Sequence, residues 1–133
     1  MTPDVIERNA TTQNRYREIN EHLSQVYNQF AAGTHPDREV PELLELFCEC
    51  GQQTRCGERV KVHPVTYERV RSDPTTFILA PGHGVAAVEE MIERGDGFLI
   101  ARNFGRAAEV ARASDPRRLV NGSLGRKATR LVF

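Results

Sequence analysis

Every cysteine in this chain falls in one short stretch, F-C-E-C-G-Q-Q-T-R-C, which places Cys48, Cys50 and Cys56 in a C-x-C-x5-C spacing. Three thiols within reach of one loop are a strong constraint on folding. Thiolates bind zinc at about 2.3 Å, and a structural site wants a fourth thiolate or a histidine. The loop has no fourth ligand of its own. His83 ends a P-G-H turn after a strand-like run, and that turn can hold a side chain rigidly. His63, nearer in sequence, is the alternative; His83 is the better candidate because a structural site needs a rigid ligand. The metal set expected is therefore Cys48, Cys50, Cys56 and His83, with structural zinc as the cofactor. Gly51 and Gly57 each follow a cysteine and permit the backbone to turn around a metal, and Arg55 and Arg59 would offset thiolate charge. Two other readings stand beside it. The cysteines are ordinary small hydrophobes, or they hold an iron–sulfur cluster, although the usual C-x2-C runs are missing.

The odd number of cysteines argues against a disulfide framework. The first residues, M-T-P-D-V-I-E-R, are polar, and no run approaches the roughly 18 apolar residues that span a bilayer, so the expectation is a soluble cytoplasmic protein with no membrane contact. The formal charge of zero excludes a uniform nucleic-acid footprint, but charge is uneven along the chain. From Arg112 onward six basic residues stand against the single acid Asp115.

Read in order, residues 4–31 form one long helix. Tyr16, Ile19, Leu23, Val26 and Phe30, spaced by threes and fours, make a narrow apolar stripe, with Ser, Asn, Gln and Glu on the other faces. That stripe packs on the protein's own sheet or, given its coiled-coil-like seam, on a protein partner or second copy through residues 16–30. Gly33 and Pro36 end the helix, and His35 is a solvated loop residue. Asp37–Phe47 is open between a short helix capped by Asp37 and a chain already extended toward the cysteines. Glu58–Val62 alternates as a strand; Thr66–Arg71 is a short helix with Tyr67 and Val70 inward; Thr75–Ala80 is the best buried strand. Val85–Arg94 fits a helix or a strand, and the Gly95-Asp96-Gly97 turn leads into a strand over Phe98–Ala101. Phe104–Ala113 is a short helix, and the chain beyond Ser114 is a basic, largely irregular tail. The fold class expected is α+β: a long N-terminal helix, then a small, mostly antiparallel sheet with a zinc-stapled loop. The segments are 1–36 for the helix and linker, 37–103 for the core and 104–133 for the short helix and tail.

The string C-E-C-G from Cys48, then Cys56, V-T-Y-E-R-V-R from Val65 and D-P-T-T-F-I-L-A-P-G-H from Asp73 resembles a group of short, uncharacterised bacterial proteins, mainly actinobacterial. They share an F-x-C-x-C…C…E-Y-x-x-V-R…P-G-H pattern. The resemblance is strongest over residues 46–102 and implies that Val85–Arg102 is a β-hairpin. Its pattern includes the four proposed ligands and omits His63. Leu46, Thr66 and Leu79 depart from it, and none of these is a proposed ligand. No activity comes with the group.

Four function classes follow. Four protein ligands leave no open coordination position, which favours a zinc-stabilised, non-enzymatic interaction or regulatory module. A thiol-based redox or zinc sensor is the alternative, with Glu49 and nearby arginines tuning the thiolates. Nucleic-acid binding through the basic tail is a further alternative. A zinc enzyme ranks last, because the deaminase H-x-E and P-C-x-x-C pair, H-E-x-x-H, the G-x-S-x-G elbow and a phosphate loop are all missing.

Overall fold

The computed structural model describes residues 1–31, 41–52 and 56–118. Gly33, His35, Pro36, Asp37, Arg55 and the tail from residue 119 lie outside them. Helix α1 (Pro3–Gln29) starts at Thr2, whose hydroxyl accepts the Val5 amide, with proline in the first turn where its missing N–H costs nothing. Strand β1 (Leu44–Phe47) follows, so the last residues of the open stretch are extended, and it pairs antiparallel with β2 (Arg59–Val62). Helix α2 (Pro64–Arg71) precedes β3 (Thr76–Leu79), β4 (Glu89–Gly95), β5 (Phe98–Asn103) and α3 (Gly105–Ser114). The architecture is α+β, as expected, but the sheet is split: a two-stranded β1–β2 ribbon and a three-stranded sheet ordered β3–β5–β4.

Alternation explains the small ribbon. Leu44, Leu46, Val60 and Val62 face inward and are buried, while Glu45, Lys61 and Arg59 are exposed. All four residues of β3 are buried, consistent with its unbroken T-F-I-L run. Val85–Arg94 resolves into a turn followed by β4, and Asp96-Gly97 closes a two-residue hairpin to β5, with Gly97 at φ +82°. Tyr67 and Val70 of α2 are buried as expected.

Helix α1 departs from the expectation in one instructive way. The apolar stripe is buried only in part: Leu23 packs on the core, and the Tyr16 and Phe47 ring centroids lie 6.2 Å apart. Ile19, Val26 and Phe30 are exposed, and the inner face is Asn9, Ala10, Gln13, Asn14, Arg17, Asn20, Glu21 and Ser24. The helix binds the domain through directional hydrogen bonds. Gln13 takes the Asn103 amide at 3.1 Å and donates to Glu89 at 2.9 Å. Arg17 donates to the carbonyls of Pro74 and Ala111 and to the Asn14 side chain, and lies 4.6 Å from the Phe77 ring centroid. Glu21 accepts from Tyr67 at 2.7 Å, Arg71 at 3.1 Å and Arg117 at 2.7 Å. Most of these buried polar atoms are paired, as burial demands, although Asn9 Oδ1 and Arg17 Nε have no hydrogen-bond partner among the described residues.

The first residues after α3 also join this network. Asp115 is buried against Arg71, and Arg117 grips Glu68 with two bonds of 2.9 Å. Residues 115–118, expected to belong to an irregular tail, are therefore part of the folded domain. Among the described residues no helix is long and apolar enough to cross a membrane.

Candidate metal centre

The cysteine segment joins the two sheets. The Cys48 amide donates to Glu58, one step beyond the β1–β2 ladder, and the Glu49 amide donates to Ile78 of β3 at 2.8 Å. Alternation then sends the Glu49 side chain away from the two sulfurs that flank it. Its carboxylate is fully buried and accepts from the Ile78 amide at 2.9 Å and from Asn20 at 2.8 Å. Burial pushes this carboxyl up, against its hydrogen bonds from Asn20 and Ile78. Glu49 is thus a clamp between α1 and β3, and not a neighbour that tunes the thiolates through direct contact.

The other half of the site is built by the turn after β3. His83 donates its amide to Ala80 at 3.1 Å, with Pro81 at the second turn position and Gly82 at φ +82° in the third. This is the geometry of a type II turn, in which a left-handed residue is required at the third position. The turn presents Nδ1 of His83 to the cysteines, 3.6 Å from Cys48 Sγ and 3.4 Å from Cys56 Sγ. The four ligand atoms of Cys48, Cys50, Cys56 and His83 all lie within 4.8 Å of one another. A tetrahedral site with metal–sulfur bonds of about 2.3 Å and metal–nitrogen bonds of about 2.0–2.1 Å has sulfur–nitrogen edges of about 3.6 Å and sulfur–sulfur edges of about 3.8 Å. The two sulfur–nitrogen distances match that figure, so the four residues fit a tetrahedral metal ion.

The Cys48 thiol bonds to Cys50 and, with burial, is held in the protonated form; Cys50 is pulled down to about 5, first by that bond from Cys48. Burial pushes Cys56 up. A metal would displace the retained protons, as thiolate ligation requires. Cys48 Sγ also accepts the Ala80 amide at 3.1 Å, a bond that directs its sulfur toward the His83 turn.

The supporting shell was not read from sequence. Asn9 donates to Gly51 O at 2.7 Å, next to Cys50; Glu89 takes the Val85 amide at 2.9 Å, two residues beyond His83; Gln52 donates to His83 O at 3.2 Å. With the Gln13–Glu89 bond, α1 holds both halves of the site. The signal was present in Asn9, Gln13, Asn20 and Ser24, polar residues at helical spacing. Gly51 is needed for close approach: a Cβ there would stand 2.2 Å from the Asn9 carbonyl oxygen. At Gly57 a Cβ meets nothing within 4 Å.

His63 begins α2 as its N-cap and is exposed, outside the group of ligand atoms. His22 is exposed on α1. Arg59 lies 4.7 Å from the Phe47 ring centroid. No family model, curated protein or solved structure matches the chain.

Proposed function

We propose that the chain is a zinc-stabilised, non-enzymatic module that binds a protein partner through the outer face of α1. The observation that carries the zinc reading is the closed set of three sulfurs and one imidazole nitrogen at tetrahedral spacing. Three cysteines and one histidine are a ligand set that suits zinc, and they fill its coordination without a position for a reacting water. Metal analysis tests this directly. Purified protein carries about one zinc per chain; Cys48→Ser and His83→Ala lose it, and His63→Ala keeps it. A metal-free wild type, or full retention by His83→Ala, refutes the assignment.

The partner reading is supported by Ile19, Val26 and Phe30, which remain exposed at about 40% each on a helix whose buried face is mainly polar. A stripe of threes and fours suits a second helix, from another protein or a second copy of this chain. Sedimentation across a concentration series, with and without Ile19→Glu and Val26→Glu together, separates these. A dimer abolished by the pair is self-association. A monomer leaves a different protein, to be sought by cross-linking from position 22, where His22 is exposed on the same helix.

A further inference from the structure

The three sulfurs are not equally protected. Cys48 and Cys50 are each 1% exposed, whereas Cys56 is only partly buried and is followed by exposed Gly57 and Glu58. Oxidants reach a thiolate that solvent reaches. Cys56 is therefore where an oxidant meets the centre first.

The sulfur best placed to answer is Cys50. Cys48 is tied at two points, its amide to Glu58 and its Sγ to the Ala80 amide. Between Cys48 and Cys50 stands only Glu49, whose side chain is locked to Asn20 and Ile78, so those two cannot twist into a strained C-x-C disulfide without breaking that lock. Cys50 and Cys56 are ligands of one tetrahedron with sulfurs about 3.8 Å apart when a metal is held. Bonding requires closure to about 2.05 Å.

We propose that Cys56 and Cys50 form a peroxide-driven, reversible metal-release switch. This rests on the metal centre of three cysteines and one histidine proposed above. In the first step the Cys56 thiolate attacks hydrogen peroxide. The O–O bond breaks, sulfur gives up two electrons to become a sulfenic acid, and hydroxide leaves. The Cys50 thiolate then attacks the sulfenic sulfur, the S–O bond breaks, and a second hydroxide leaves as the disulfide forms. Two thiolates and one peroxide thus yield one disulfide and two hydroxides. The metal, left with Cys48 and His83, dissociates. A dithiol reductant returns the two electrons and restores the site.

Release is local. The contacts that hold the two halves together use neither sulfur nor metal: Glu49 with Ile78 and Asn20, Asn9 with Gly51, Gln13 through Glu89 to Val85, and Gln52 with His83. The domain stays folded when the metal leaves.

The test uses the full chain loaded with zinc and assayed for metal content before any oxidant is added. A chain that takes up no zinc overturns the metal reading and the switch with it. A loaded chain is then treated with one to two equivalents of hydrogen peroxide. Zinc release is followed with a chromogenic chelator, disulfides by peptide mapping, and fold by far-ultraviolet circular dichroism. The expected result is stoichiometric zinc release, a Cys50–Cys56 cross-link, an unchanged spectrum and re-uptake after dithiol treatment. Cys56→Ser, if it holds zinc, releases it at least about ten-fold more slowly, because the accessible thiolate is gone. Retention of zinc under peroxide, a Cys48–Cys50 link, or loss of the helical signal with release overturns the switch and leaves the metal centre standing. Peptide mapping of the wild type decides the pairing whether or not the variant holds metal.

Discussion

Replacing Asn20 by alanine tests whether the polar inner face of α1 holds the domain together. Asn20 is fully buried. Its amide nitrogen donates to Phe47 O and to Glu49 Oε2, both at 2.8 Å, and its oxygen accepts the Phe47 amide at 2.9 Å. Alanine would leave three groups without a partner. A buried polar group stripped of its partner costs about 1–3 kcal/mol. Phe47 is partly exposed, so water recovers some of that loss. Alanine also gains about 0.6 kcal/mol of helix propensity over asparagine. The net expectation is a loss of about 3 kcal/mol, against a total of about 5–15 kcal/mol for a domain of ordinary stability. Urea titration should show a lower midpoint with an unchanged slope, and the thermal midpoint should fall by about 10 °C. Asn28→Ala, on the exposed side of the same helix, should be neutral or slightly stabilising. Asn20→Asp sharpens the test, because it sets a second carboxylate against Glu49. Its new acid is held above its ordinary value, so the variant regains stability as pH falls and loses it as pH rises. Asn20→Ala within 1 kcal/mol of wild type would refute a polar clamp and return the burden to apolar packing.

Two further outcomes follow from the same contacts. Gly51→Ala should destabilise by about 1–3 kcal/mol and weaken metal binding, since its Cβ meets the Asn9 backbone, whereas Gly57→Ala should change little; paired urea and metal titrations check both. Burial pushes the Glu21 carboxyl up, but hydrogen bonds from Arg117 and Tyr67 and the charges of Arg117 and Arg71 outweigh it and hold the group below its ordinary value. Its contribution is present above the unfolded value near 4.5 and is lost as pH falls through the folded one. Glu21→Gln should therefore flatten the stability curve below about pH 5, read by denaturant titration at stepped pH.

The four candidate ligands were legible because their chemistry is local. Three thiols in nine residues and a histidine in a P-G-H turn announce themselves by residue type and turn geometry. The short strands were legible for a similar reason, since alternation in R-V-K-V and the unbroken T-F-I-L run each match one mode of burial. The orientation of α1 was not legible. Hydrophobic periodicity assumes that the apolar face turns inward, and here Asn9, Gln13, Arg17 and Asn20 make most of the inner face while only part of the stripe, Leu23, packs on the core. Each finds its partner 42, 76, 57 and 27 residues away, at Gly51, Glu89, Pro74 and Phe47, and no local pattern encodes such distances. Val85–Arg94 was ambiguous because Val88 and Ile92 suit either period; pairing with β5 decides it.

The inward polar face also bears on how the metal and the helix divide their work. If α1 were held by apolar area alone, small slips along the sheet would cost little, because the hydrophobic effect has no direction. Hydrogen bonds have direction, and a slip of one turn would break those from Asn9, Gln13, Arg17 and Asn20 together. Register is thereby tied to the helix, and α1 positions Gly51 and Val85 on either side of the four ligands before any ion arrives. A metal bound there would close a site that is already formed, and would add stability that grows with the logarithm of free metal above its dissociation constant. The same arrangement leaves Ile19, Val26 and Phe30 facing outward, so the helix can bury apolar area against a partner while its bonds to the domain stay intact.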